Sequence, residues 1–97
     1  MNLTVISTKP SRATLKHTYN FIKQKFGIKA ADNFLAEVDK ITALIAKQPF
    51  MYKALSIDEH VREGFITKQC SLIYRVTDTE IHLLYFWDNR QDPLFTY

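Results

Sequence analysis

Arg62, Arg75 and His82 are the residues of this 97-residue chain whose types and spacing could do chemistry together. Each lies in one of three consecutive segments rich in β-branched and aromatic residues, 61–67, 70–76 and 80–87. Lys68-Gln69 and Asp78-Thr79 separate them. With both dipeptides as two-residue hairpin loops, Thr67 faces Cys70 and Thr77 faces Glu80. Counting outward then brings Arg62, Arg75 and His82 into one row on one face. Like charges opposed across strands cost up to about 1 kcal/mol, so such a row points to an anionic partner. Ile66, Ile73, Leu84 and Phe86 fall beside the row, with no third layer of chain to cover them. An apolar patch ringed by arginine has the make-up of an interaction surface. Gly64 falls on the same face and leaves a dent between Arg62 and Ile66. The opposite face (Phe65, Cys70, Leu72, Tyr74, Val76, Ile81, Leu83, Tyr85 and Trp87) is apolar throughout.

Other reactive side chains converge less well. His17, His60 and His82 have no ligand spacing, and a single cysteine, Cys70, makes neither a disulfide nor a cysteine-based zinc site. No metal is expected. Cys70 sits where a small core residue belongs. Asp58-Glu59 are adjacent and so lack the facing geometry of a glycosidase pair. Lys9, Arg12, Lys16 and Lys23 recur at helical spacing. Such a stripe suits solvent, nucleic-acid phosphate or an acidic partner segment. The C-terminal run ends in Phe95 and Tyr97, with Arg90 expected at the end of the last strand and Pro93 stopping further pairing.

Composition excludes more. Only two glycines occur, where average usage gives about 7. A phosphate-cradling loop or dinucleotide fingerprint cannot be written with them. The net charge of +3 is uneven. Residues 1–49 carry eight Lys/Arg against three Asp/Glu, and residues 50–97 carry five against seven. The latter half also holds nine of the thirteen aromatics. No apolar run approaches the ~18–20 residues that span a bilayer, and no signal-peptide core stands near the N-terminus. A cytoplasmic protein with no membrane partner is expected.

The elements that must position these residues follow from periodicity. Residues 2–7 alternate and predict a strand. Thr8 or Ser11 can cap a helix with Pro10 in its first turn. Leu15, Tyr19, Ile22 and Phe26 form its apolar face, and Gly27 suits a left-handed C-cap. Ala31, Phe34, Leu35, Val38, Ile41, Leu44 and Ile45 mark a second helix over 30–47, ended by Gln48-Pro49. Residues 49–60 read as a loop, and the rest as a three-stranded meander. The expected fold is α+β: one domain over 1–97, ordered β-α-α-β-β-β. A helical hairpin packs on one face of a small, mainly antiparallel sheet.

That order resembles the small toxins of the bacterial RelE/ParE superfamily, the plasmid-stabilisation type. The resemblance is carried by Pro49 after the second helix, Val61-Arg-Glu-Gly-Phe-Ile66, Cys70-Ser-Leu-Ile-Tyr-Arg-Val76, and above all Asp88-Asn-Arg-Gln-Asp-Pro93. It implies the toxin of a type II toxin–antitoxin system, without cofactor, silenced in a hetero-oligomer with a cognate antitoxin. RelE-like members cut mRNA on the ribosome; Arg62, Arg75 and Arg90 would be the catalytic set here. ParE-like members poison DNA gyrase. Arg62 and Arg75 match strand arginines of both branches, and Arg90 matches the more ParE-like Arg-x-Asp-Pro pattern. The lysine-rich segment of the nucleases is reduced to Lys53, and no Tyr or His stands clearly at their terminal catalytic position. The acidic balance after residue 49 also disfavours gripping RNA phosphates. A non-enzymatic toxin is therefore expected, binding a protein target through Arg62, Arg75, Phe86, Arg90, Phe95 and Tyr97. Arg12, Lys16, Lys23, Ile66, Ile73 and Leu84 are expected to meet the antitoxin. The alternatives are a ribosome-dependent endoribonuclease and a non-toxic partner-binding relative.

Overall fold

The structure, a computed structural model, describes residues 2–55 and 58–89. The elements run β1 (Thr4–Ser7), α1 (Lys9–Phe26), α2 (Ile28–Lys47), β2 (Ala54–Leu55), β3 (Asp58–Thr67), β4 (Cys70–Val76) and β5 (Glu80–Asp88). One five-stranded sheet has the order β1-β5-β4-β3-β2. Only β1 is parallel to its neighbour, β5.

Local chemistry explains the helical hairpin. Thr8 caps α1 through a reciprocal pair: its backbone N–H donates to Ser11 Oγ at 2.9 Å, and Ser11 N–H donates to Thr8 Oγ1 at 3.2 Å. Gly27 alone joins the helices. Its φ of 100° is one that an L side chain rarely adopts. Phe34, Val38, Ile41 and Ile45 recur every three or four residues along α2 and pack on Ile66, Leu72, Tyr74, Val76, Ile81, Leu83 and Phe86 of the sheet. Each such burial is worth about 1.5–3 kcal/mol. α1 is peripheral: Leu15 and Ile22 reach the core, but Phe26, expected there, is 62% exposed.

The meander is present, but its register departs from simple counting at two bulges. Thr67 pairs with Cys70 and Phe65 with Ser71, so Ile66 is an extra residue on β3. Tyr74 pairs with Leu83 and Ile73 with Tyr85, so Leu84 is an extra residue on β5. A slip of one residue sends every later side chain to the other face. Ile66, Gly64 and Phe86 therefore turn toward the helices, while Phe65, Tyr85 and Trp87 turn outward. α1 stabilises the β5 bulge where β1 has ended. Thr8 Oγ1 donates to Leu83 O at 2.6 Å and Leu84 O at 3.1 Å, and Thr14 Oγ1 accepts from Phe86 N–H at 2.9 Å.

Two other expectations change. The loop read over 49–60 contains β2 and the start of β3. Gly64 still shares a face with Arg62, now the helix side, and leaves no dent there. It faces inward, and an added Cβ would stand 3.1 Å from the Tyr52 ring and 3.5 Å from Ile45. The edge strand β1 is fastened at both ends: Leu3 N–H donates to Ala46 O, and Arg12 Nη1 donates to Ser7 O.

Candidate functional site

The bulge in β3 separates the arginines. Arg62 pairs in register with Tyr74, on the helix side, and Arg75 pairs with Val61 and His82, on the outer side. The row of three cations therefore does not form. Arg62 is half-buried. Its Nη1 donates to Tyr52 O at 2.7 Å and Phe50 O at 3.4 Å, and its Nε to Glu59 O at 3.2 Å. Its guanidinium lies 4.7 Å from the centroid of the Phe50 ring. Arg75 donates to Asp58 Oδ2 at 2.9 Å, and His82 Nε2 meets Glu80 Oε1 at 2.8 Å.

Asp58 organises the outer side. The His60 backbone N–H donates to Oδ1 at 2.8 Å, and this bond, then Arg75, holds its carboxyl below the usual carboxylate range. A depressed carboxyl contributes stability above its unfolded pKa, about 3.9, and loses it as pH falls through the lower folded value. Thermal melts taken downward from neutral pH should therefore show the wild type losing stability below about pH 4 more steeply than Asp58→Asn. The pair is exposed, so the difference should be small.

The antitoxin patch read from the sequence is also rearranged. Ile66 and Phe86 are core residues. Ile73 is 1% exposed, on the outer side between Glu63 and Tyr85 in register. Leu84 is half-buried; Lys16 and Lys23 are exposed, as is Arg12, which is tied to Ser7. Arg90, Phe95 and Tyr97 lie outside the described residues.

A different concavity stands out. A cleft of about 490 Å³ opens between the joined ends of the helices and the β3–β4 turn. Phe21, Ile22, Phe26 and Phe34 give it apolar walls, and Glu37 and Asp88 add two carboxylates. Lys25 Nζ stands 5.6 Å from the centroids of both Phe21 and Phe26. His17 and Cys70 line the cleft too, but they do not make a nucleophile pair. Burial, then the charge of Asp88, pushes the Cys70 thiol up to about 12, so it carries no thiolate at neutral pH. The lining thus joins an aromatic wall to two carboxylates.

A sequence model described as the ParE toxin of the type II toxin–antitoxin system parDE matches residues 5–93. The chain belongs to the ParE toxin family. Its architecture, two helices on a five-stranded mixed sheet, is that of solved ParE and RelE toxins. The toxin of the chromosomal ParDE system from P. aeruginosa superposes with a TM-score of 0.74 at 17% identity, over 89% of this chain and 95% of that one. The toxin–antitoxin complex RelBE2 of Mycobacterium tuberculosis gives 0.64 at 20% identity, over 91% and 99%. The YoeB dimer of Staphylococcus aureus gives 0.63 at 13%, over 90% and 97%. Comparison with curated sequences finds no match.

Among the described residues of this ParE-family chain, four of the five most exposed large apolar side chains lie at the two ends of α2, the fifth being Phe65 on the outer side of β3. Phe26 and Ile28 lie at one end, Phe50 and Met51 at the other. Sequence reading missed both clusters. Phe26 fits the apolar spacing of α1 and so reads as core. A signal was present in Phe21, which departs from that spacing and has no core position to fill. No described helix is long and apolar enough to cross a membrane.

Proposed function

We propose that this toxin acts by binding a protein target, DNA gyrase, and cleaves no RNA. The observation that supports this most is the commitment of Arg62 and Arg75. A nuclease built on Arg62, Arg75 and Arg90 needs cations that converge on phosphate and on the charge developing as the 2′-oxygen attacks. Arg62 and Arg75 instead belong to opposite faces of the sheet. Three backbone carbonyls and a ring engage Arg62, and a carboxylate engages Arg75. Turning either to an RNA phosphate would break those bonds.

The ParDE and RelBE2 likenesses support an antitoxin partner for this chain. Its tail would seat apolar side chains in the Phe21–Phe26 cleft and set a lysine or arginine against Glu37 and Asp88. Such a groove suits the amphipathic helix of a partner.

Inducing the chain without antitoxin tests the target. Trapped DNA breaks and a DNA-damage response should appear while protein synthesis continues. An immediate stop in translation, with codon-positioned cuts in ribosome-bound message, would favour the nuclease. No arrest of either kind would leave only a partner-binding relative.

A further inference from the structure

The loop after α2 is held at nearly every carbonyl, yet it turns two large apolar side chains to solvent. Gln48 O accepts from Met51 N–H at 3.1 Å, and Pro49 O from the buried Tyr74 hydroxyl at 2.9 Å. Phe50 O and Tyr52 O accept from Arg62, and Lys53 O from Glu63 N–H at 3.3 Å. Phe50 is nevertheless 54% exposed and Met51 44%. Single exposed apolar residues are ordinary. Two neighbours held this firmly, by the buried Tyr74 and the half-buried Arg62, are not, because anchors ordered in advance escape much of the entropic cost of binding. Arginine, aromatic and methionine side chains are also those that interfaces favour.

We infer that Phe50 and Met51 form the surface that contacts the toxin's protein target, and that Arg62 is a positioning residue that holds it. The inference rests on the toxin reading above. Among the described residues no carboxylate pairs with Arg62. The partner surface that fits is therefore an apolar pocket edged by Asp or Glu, which takes the Phe50 ring and neutralises the guanidinium behind it. A hollow beside Phe50, lined by Leu3, Pro49, His60, Val76, Thr77 and Asp78, would admit the apolar part of that pocket's rim, with its carboxylate kept on the Arg62 side, away from Asp78. The surface lies one length of α2, about 30 Å, from the Phe26 cleft, so the two can be altered separately.

The test is killing of cells induced without antitoxin, scored as surviving colonies. The Phe50→Ser/Met51→Ser double variant should raise survival at least tenfold over wild type, with a thermal midpoint within a few degrees of it. Either single change, read the same way, serves if the double variant melts early. Arg62→Lys keeps the charge but loses the fork that reaches Tyr52 and Glu59. It should raise survival partway, and adding the double change should then give no more than the double change alone. Additive effects would overturn the positioning role. Undiminished killing by the folded double variant would overturn the surface while leaving the toxin reading intact. A wild type that does not kill would overturn both.

Discussion

Phe21→Glu/Phe26→Glu should leave the toxin folded and toxic but weaken its antitoxin complex by on the order of 100-fold or more. Phe26 is 62% exposed and Phe21 37%, and neither belongs to the buried core, so the free fold loses Phe21's partial burial and the Lys25–aromatic contacts but no core residue. Each of those contacts is worth about 0.5–1 kcal/mol at the surface. Full burial of a phenylalanine by a partner is worth about 1.5–3 kcal/mol, and the exposed parts of the two rings add up to about one phenylalanine; desolvating two new carboxylates against the partner's apolar side chains brings the loss to the ~2.7 kcal/mol that a 100-fold change requires. The new carboxylates also stand in the cleft that holds Glu37 and Asp88. Titration calorimetry of the purified pair would read the affinity, and thermal melts the fold. Unchanged affinity would remove the cleft from the antitoxin interface.

Tyr74→Ala should cost about 3–5 kcal/mol, as do large aromatic truncations in well-packed cores. Tyr74 has no exposed surface and lies on the central strand β4, against the helices. Burial pushes its phenol up to about 12, so it stays a neutral donor across the physiological range. Its hydroxyl ties the sheet to Pro49, the first residue after α2 and its C-cap. Tyr74→Phe should cost less, about 1–2 kcal/mol, because it removes one hydrogen bond and leaves a carbonyl short of a donor. Urea denaturation of the three proteins would order them. Equal stability of Tyr74→Phe and wild type would mean that the hydroxyl does not hold the loop.

Much of the scaffold was legible because it is written in local periods. The apolar stripe Phe34, Val38, Ile41 and Ile45 announces α2, and the β-branched runs announce three strands. The faces of β4, and of β5 as far as Leu83, were legible; those of β3 before the Ile66 bulge and of β5 after the Leu84 bulge were not. Each bulge is decided by tertiary contacts: Thr8 and Thr14 of α1, distant in sequence, satisfy the backbone of β5 at Leu83, Leu84 and Phe86. β2 escaped because two residues carry no period, and the start of β3 because Asp58-Glu59 reads as a solvated turn. The arginine row failed for the same reason as the register. One extra residue, Ile66, put Arg62 on the other face, where the Phe50–Tyr52 loop awaited it.

The measurement that tests the central claim most directly is plasmid cleavage by purified gyrase in the presence of this toxin. Trapped linear DNA should accumulate with toxin concentration, while message in a parallel reconstituted translation stays full length. Intact plasmid together with codon-positioned cuts in the message would contradict the claim.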